Sequence, residues 1–395
     1  MPNAEAFLVS AVRTAVARAR KGALANTLPV AYGAAAVVAA VERVPKLKRE
    51  QVDDVLMGCA MPEGEQGLNI ARQVALHGGF PTSVPAVTVN RFCASGLQTI
   101  AMAHSAIVSG QAKVAVAGGT ESMSLLPMSG HYFVPDPQLA ASEPNVYISM
   151  GLTAERVAQK YKVSRTDQDA FALQSHERAA AAIAEGRFVD EIVPMSVERQ
   201  LIVDGAVTTE TLDFRVDEGP RADSSLEALA KLRPAFAKTG SATAGNSSQL
   251  SDGAAAAVLM DQATMDALGA KPLARLASFA VAGVDPDLMG IGPVAAIPKA
   301  LAQAGITLED IQLIELNEAF ASQSLAVIRE LKLDPEIVNV NGGAIALGHP
   351  LGCTGAKLTA TLLHEMGRRK LRWGLVSMCI GGGMGAAGVF EYLGD

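Results

Sequence analysis

Apolar residues in this chain fall into short runs rich in branched side chains, and between the runs lie alanine-rich stretches with helical spacing. The runs AFLVSAV (6–12), DVLMGCA (54–60), AVTVN (86–90), VAVAGG (114–119), AAVLM (256–260), ARLASFAVAG (274–283), LIELN (313–317), IVNVNGG (337–343) and GLVSMCIGGG (374–383) predict strands. LNIARQVALHGG (68–79), SGLQTIAMAHSAIVSG (95–110) and CTGAKLTATLLHEMG (353–367) place apolar side chains three and four residues apart and predict helices. Such alternation predicts α/β layers with parallel strand pairing.

The order of the runs carries more than their number. AFLVSAV, DVLMGCA, AVTVN and VAVAGG recur about 250 to 270 residues later as ARLASFA, LIELNEA, IVNVN and VSMCIGGG, each followed by a similar helix. The chain therefore reads as a duplicated α/β half. Residues 1–120 and 250–270 make the first half and residues 271–395 the second. Residues 121–249 change character, with prolines in LLPMSGHYFVPDPQ, charged helices between residues 153 and 182, and the polar LDFRVDEGPRADSS. That stretch is expected to be an excursion from the first half.

At 395 residues, with 49% hydrophobic content, the chain is long enough to bury a large core. A net charge of -7 and a pI near 5.5 argue against a nucleic-acid surface, so an anionic ligand needs a local cationic site. The four cysteines, Cys59, Cys93, Cys353 and Cys379, show neither C-x-x-C nor zinc-type spacing, so no metal is expected. MPNAEAFLVSAVRTAV lacks the pattern of a secretory leader, EYLGD carries no peroxisomal tripeptide, and AYGAAAVVAAVERV is too short to span a bilayer. Cytoplasmic residence without disulfides is the expectation.

Cys93 stands in VTVNRFCASGLQ, where a strand gives way to a helix. A thiol there meets free backbone N–H groups and the positive end of the helix dipole, which favour thiolate over the ordinary pKa of about 8.5. The plainer alternative is a small buried hydrophobe. A nucleophile needs a base and an oxyanion site. His349, in NGGAIALGHPLGCTGA, follows the repeat partner of AVTVN and so falls at the equivalent edge of the second half. His77, His104, His131, His176 and His364 lack such settings and read as ordinary polar residues. Cys379 opens the glycine run of MCIGGGMGAAG, whose bare backbone is suited to an anion nest. Asn317, in ELNEAF, ends a strand, where it holds a water or carbonyl oxygen or merely shapes a turn.

Taken together, NRFCASGLQ, KLRPAFAKTGSATAGNSSQLSDGAA, NEAF, GGAIALGHPLGCTGA and CIGGGMGAAG resemble the thiolase family in order and spacing, over essentially the whole chain. The resemblance implies two similar α/β halves in a five-layer α-β-α-β-α arrangement, with an inserted loop domain (121–249) for coenzyme A (CoA) binding and oligomer contacts. It implies Cys93 as the nucleophile that becomes acylated, His349 as its base, and Cys379 as the acid/base toward the acetyl α-carbon. Asn317, through a water, with His349 would form one oxyanion hole; the N–H groups of Cys93 and Gly381 would form the other. Arg221, Phe236, Ser248, Met289 and Phe320 match positions along CoA. On this resemblance CoA is a substrate and no cofactor is bound permanently. The partners implied are CoA and 3-ketoacyl-CoA, a second copy in a homodimer or homotetramer, and a β-oxidation multienzyme subunit.

Short-chain biosynthetic thiolases carry a histidine before the methionine of H-M-G-x-T-A-E, where this chain has Ser149 in SMGLTAERV, and NSSQLSDG departs from their N-A-S-G-x-N-D-G. Both departures resemble the 3-ketoacyl-CoA thiolases of fatty-acid β-oxidation. The alternatives are an acetoacetyl-CoA thiolase condensing two acetyl-CoA, a Cys-His hydrolase, a ketoacyl synthase, and a noncatalytic acyl-CoA-binding relative. A ketoacyl synthase pairs its cysteine with two histidines, and Asn317 holds one of those places here.

Overall fold

The computed structural model describes residues 5–203 and 206–394; the first four residues of the stretch read for a leader and the last residue of EYLGD lie outside them. One sheet runs through both halves of the chain. Its long strands are β1 (Ala6–Thr14), β2 (Asp54–Gly58), β3 (Ala86–Val89) and β4 (Val114–Ser122). After a hairpin, β5 (Met195–Val203) and β6 (Ala206–Phe214), come β7 (Ser251–Asp261), β8 (Ala274–Gly283), β9 (Leu313–Leu316), β10 (Trp373–Ile380) and β11 (Met384–Tyr392). The spatial order is β3-β2-β4-β7-β1, then β8-β11-β10-β9. Each order repeats the other about the β1–β8 seam, where Leu8 pairs with Ala274.

The pairing corrects the expectation of parallel strands. β2 is parallel to β3 and β4, and β9 to β10, but β4–β7, β7–β1, β8–β11 and β11–β10 are antiparallel. The cause is a return strand in each half. In the second half it is β11, which the sequence reading missed: residues 381–383 form a tight hairpin in which Gly382 and Gly383 take φ of 80° and 82°. Positive φ at consecutive positions is what glycine permits cheaply. IVNVN is a second correction. Val338 makes a single bridge to Ile314, and Asn339 takes a positive φ while its side chain bonds both backbone groups of Leu316. An amide side chain there replaces the strand backbone, so the predicted strand is a loop.

Helices α1 (Pro29–Glu42) and α2 (Ile70–His77) cover one face of the first half through Val37, Val41 and Val74. The middle layer is α3 (Ser95–Val108), followed along the chain by α4 (Met150–Lys160), α5 (Arg165–Ala184), α6 (Gly292–Ala304), α7 (Ala321–Leu331) and α8 (Leu351–Arg369). α3 and α8 share one core with β4, β7, β10 and β11, while α6 and α7 cover the outer face of the second half. Five layers result, helix outside sheet outside a central helix pair. Alternate β7 residues serve two cores, Ala254, Ala256 and Val258 on one side and Ala255, Ala257 and Leu259 on the other. A strand buried on both faces is apolar throughout, which is why the pattern showed runs rather than alternation. Among the described residues no helix is long and apolar enough to cross a membrane.

Candidate active site

The central helix pair brings the two halves to one point. α3 and α8 touch backbone to backbone at their first turns: a Cβ on Gly96 would stand 2.7 Å from the Ala356 nitrogen. No larger residue allows that approach. Cys93 sits in a tight turn, Phe92–Ala94, between β3 and α3. Phe92 takes φ of 43°, a conformation that costs a non-glycine residue of order 1–3 kcal/mol. Asn90 offsets part of this by accepting from Phe92 N–H (2.8 Å) and donating to the Ala60 carbonyl (3.1 Å). The Ser95 hydroxyl accepts from Arg91 N–H and donates to the Phe92 carbonyl. So held, the half-buried Cys93 packs against Ala60, Met123 and Leu351, the last being the first residue of α8.

His349 stands just before α8, the counterpart of Cys93 before α3. Its Nδ1 lies 2.6 Å from the Thr354 hydroxyl, which itself donates to the Pro350 carbonyl at 3.1 Å. The imidazole proton therefore belongs on Nδ1, leaving Nε2 to accept from Asn317 Nδ2 at 3.3 Å. Burial, helped by the Lys357 cation, pushes the His349 pKa down to about 3, so the ring is a neutral base. Asn317 is fully buried and its Oδ1 has no protein partner, an acceptor suited to a water or a substrate group.

The second thiol and the nest complete the arrangement. Cys379 is buried at the end of β10, and burial together with the Cys93 charge pushes its thiol well above the ordinary range. The backbone N–H groups of Gly381 and of Cys93 itself favour the Cys93 thiolate. They do not win: burial pushes Cys93 up to about 11 against them, with buried Glu121 adding to the rise. The expected thiolate is thus corrected to a thiol that gives up its proton only when an acceptor takes it.

Of the positions matched to CoA, four gather and one stands apart. Met289 and Phe320 pack in one cluster with Cys379, Ala154, Ala242 and Ala319, bordered by Met150. Phe236, partly exposed, meets Phe320 edge to face at 5.8 Å, and Ser248 N–H donates to the Ala319 carbonyl at 3.0 Å. The cluster runs from surface to buried thiol. Arg221 is exposed outside it, in a cleft with Arg18 and Lys21.

Three supporting residues escaped the sequence reading, and two of them, Glu318 and Thr354, lie in motifs it quoted. Glu318 accepts from Ser175 (2.6 Å), Asn339 (2.9 Å) and Ile345 N–H (3.2 Å), and so braces the loop that ends at His349. Glu121 accepts from Ala60 N–H, Gly352 N–H and Gln66, tying the α8 start to the segment after β2. Thr354 fixes the imidazole. A carboxylate inside an apolar motif, as in NEAF, was the available signal, since burial makes it costly unless fully bonded.

A thiol packed against the first residue of the helix that a neutral imidazole precedes, with N–H donors that favour its anion and a second thiol, is equipped for acyl transfer. Comparison with known proteins agrees. The thiolase N-terminal domain model matches residues 6–263 and the thiolase C-terminal domain model residues 270–392. The chain is 56% identical to the 3-ketoacyl-CoA thiolase of Bacillus subtilis over 98% of this chain and 99% of that protein. It is 48% identical to the acetyl-CoA acetyltransferase of Pseudomonas aeruginosa over 97% of this chain and 98% of that one. The crystal structure of human mitochondrial 3-ketoacyl-CoA thiolase superposes with a TM-score of 0.88 at 40% identity, covering 100% of both chains. With both halves matched, and with two like α/β halves closed around one thiol, the chain belongs to the thiolase family of acyltransferases.

Proposed function

We propose that the protein cleaves 3-ketoacyl-CoA with CoA, giving acetyl-CoA and a shortened acyl-CoA. The observation that carries this reading is that Cys93 packs against Leu351, two residues after the neutral base His349, while the Gly381 N–H and the Cys379 thiol both act electrostatically with the Cys93 sulfur. His349 Nε2 takes the Cys93 proton as the sulfur attacks the 3-keto carbon. The tetrahedral oxygen gathers charge against N–H donors. When the Cα–Cβ bond breaks, the electron pair passes to the acetyl-CoA enolate, and Cys379 delivers its proton to the α-carbon. The acyl group remains on Cys93. The proton held by His349 passes to the Cys379 thiolate, which returns both groups to their starting state; neutral His349 then takes the proton of the CoA thiol as its sulfur attacks the acyl-cysteine, and that proton restores the Cys93 thiol as the new thioester leaves. No bound cofactor is needed, since CoA enters as a substrate.

Degradation is favoured over condensation by the rim of the site. Met150 is the nearest neighbour of a Cβ placed on Gly381, at 3.4 Å, and the preceding Ser149 is exposed and small. A short side chain there leaves room for a longer acyl tail. The acetyl-CoA acetyltransferases among the relatives keep condensation of two acetyl-CoA as the second reading. The same proposal includes residues 121–249 as the CoA-binding loop domain, a homodimer or homotetramer, a β-oxidation partner subunit, and cytoplasmic residence.

Steady-state thiolysis across acetoacetyl-CoA and longer 3-ketoacyl-CoAs tests it. Turnover that rises with chain length supports the degradative reading. Activity confined to acetoacetyl-CoA supports the condensing one, and cleavage of neither contradicts both.

A further inference from the structure

Five ionisable side chains gather in the interior beside α8, and the reaction above passes no proton through them. Arg13 of β1 holds Asp217 through both branches of its guanidinium, at 2.7 and 2.8 Å, and Glu191 through Nε at 2.5 Å. Glu191 also accepts from the Thr361 hydroxyl of α8 at 2.9 Å, and Asp217 from Val16 N–H at 2.7 Å. Lys357 stands one turn before Thr361 on α8. Glu315 lies on β9, against which α8 packs, two residues ahead of Asn317. All five groups are less than 5% exposed.

The charges do not balance. Arg13 and Lys357 are two cations against three carboxyl groups, and the third carboxyl is the one without support. Among the described residues Glu315 makes no ion pair, and its Oε1 has no hydrogen-bond partner. A buried carboxyl in that position takes up a proton rather than hold a bare charge. The groups that face it agree with the count: burial pushes the Glu315 pKa up to about 8 against Lys357, with Glu191 and Glu318 adding to the rise and Arg13 opposing it. Glu318 has three donors of its own, and burial lowers the pKa of Lys357. The three groups of the candidate site leave the same range empty, with His349 down at about 3, Cys93 up at about 11 and Cys379 pushed higher by burial. The Lys357 cation reaches His349, whose proton affinity it lowers.

We propose that Glu315 carries a proton at neutral pH and is a positioning residue for the reaction, its neutral carboxyl leaving the Lys357 cation free to support the negative charge that develops beside Asn317 and His349. The inference rests on the acyl-transfer reading above. When Glu315 gives its proton to solvent, the new carboxylate cancels the field of Lys357 and opposes that developing charge. A full charge on the order of 10 Å away is worth roughly tenfold in rate at the effective dielectric of a protein interior.

Denaturant midpoints of wild type, Glu315→Gln and Glu315→Met across the pH range test the proton without reference to turnover. The folded chain keeps a proton that an unfolded glutamate releases at its ordinary value of about 4.3, so wild type loses stability as pH rises from there to about 8. The midpoint of each variant relative to wild type is expected to climb over that range and to level off above it. Turnover of a 3-ketoacyl-CoA tests the role. Wild-type kcat is expected to fall roughly tenfold as pH rises through about 8, while Glu315→Gln, which keeps the shape of the neutral carboxyl, holds its kcat within about twofold. Should one variant fail to fold, the other supplies both readouts. A midpoint difference that does not change with pH overturns the proposal. So does a fall in kcat that the variants share, because the titrating charge is then on Lys357 or another group. A wild type that cleaves no 3-ketoacyl-CoA overturns the acyl-transfer reading and the role built on it, and the midpoints still decide the proton.

Discussion

The two halves reach the central helix pair by different routes. In the first, β3 ends at Val89 and residues 90–94 turn directly into α3, with Phe92 exposed and Cys93 half-buried. In the second, the matching strand is reduced to one bridge at Val338, and every residue from Val338 to Pro350 is buried. The scaffold repeats but the linkers do not. A thiol that must meet a substrate stands on the short, open linker. The imidazole, whose proton must sit on a chosen nitrogen, stands on the long buried one, braced by Glu318, Asn339 and Thr354.

Changes at the two helix ends should be the most severe. Cys93→Ala and His349→Ala are each expected to cut kcat by about 10⁴-fold or more, because each removes a partner of one proton transfer. Asn317→Ala is expected to cost about 10² to 10³ in kcat if its amide supports a developing oxyanion, and rates within tenfold of wild type would remove it from that role. The linkers themselves differ in what they can tolerate. Glu318→Gln should lower stability by about 2 kcal/mol and reduce activity, since three buried donors lose a charged acceptor, whereas Asn90→Ala should cost about 1 kcal/mol. Denaturant midpoints for both variants measure this, and equal losses would erase the distinction between the linkers. The smallest effect is in the thiol titration. With Cys93 pushed up to about 11, alkylation by iodoacetamide in the free protein should climb about tenfold per pH unit from 7 to 10, as the thiolate fraction does. A plateau reached by pH 8 would show a thiolate already present.

Much of this was legible because the repeat is written in apolar runs: the halves, the turn at Cys93 and the equivalent place of His349 all follow from it. The return strand β11 was hidden in MGAAGVFEY, where glycine and alanine lower intrinsic strand preference and close packing of α6 against the sheet supplies the stability. The hairpin β5–β6 was missed because residues 206–211 are all exposed, the apolar Ala206 and Val207 included, so no alternation of buried and exposed faces marks it. Asn339 imitates a strand with its side chain, which no periodicity reveals. The Cys93 pKa was misjudged because helix-end donors are visible in a sequence and desolvation is not. Arg18 and Lys21, read only as part of a net negative composition, become a cationic cleft through contacts across the fold.

The central claim is that an acyl group passes through Cys93 with His349 as its base. Intact-protein and peptide mass spectrometry after brief incubation with a 3-ketoacyl-CoA tests it directly. The account predicts one acyl adduct, confined to the peptide carrying Cys93, absent in Cys93→Ala and discharged by added CoA. Cleavage of the substrate with no adduct, or an adduct on Cys379 that CoA discharges in Cys93→Ala, would contradict it.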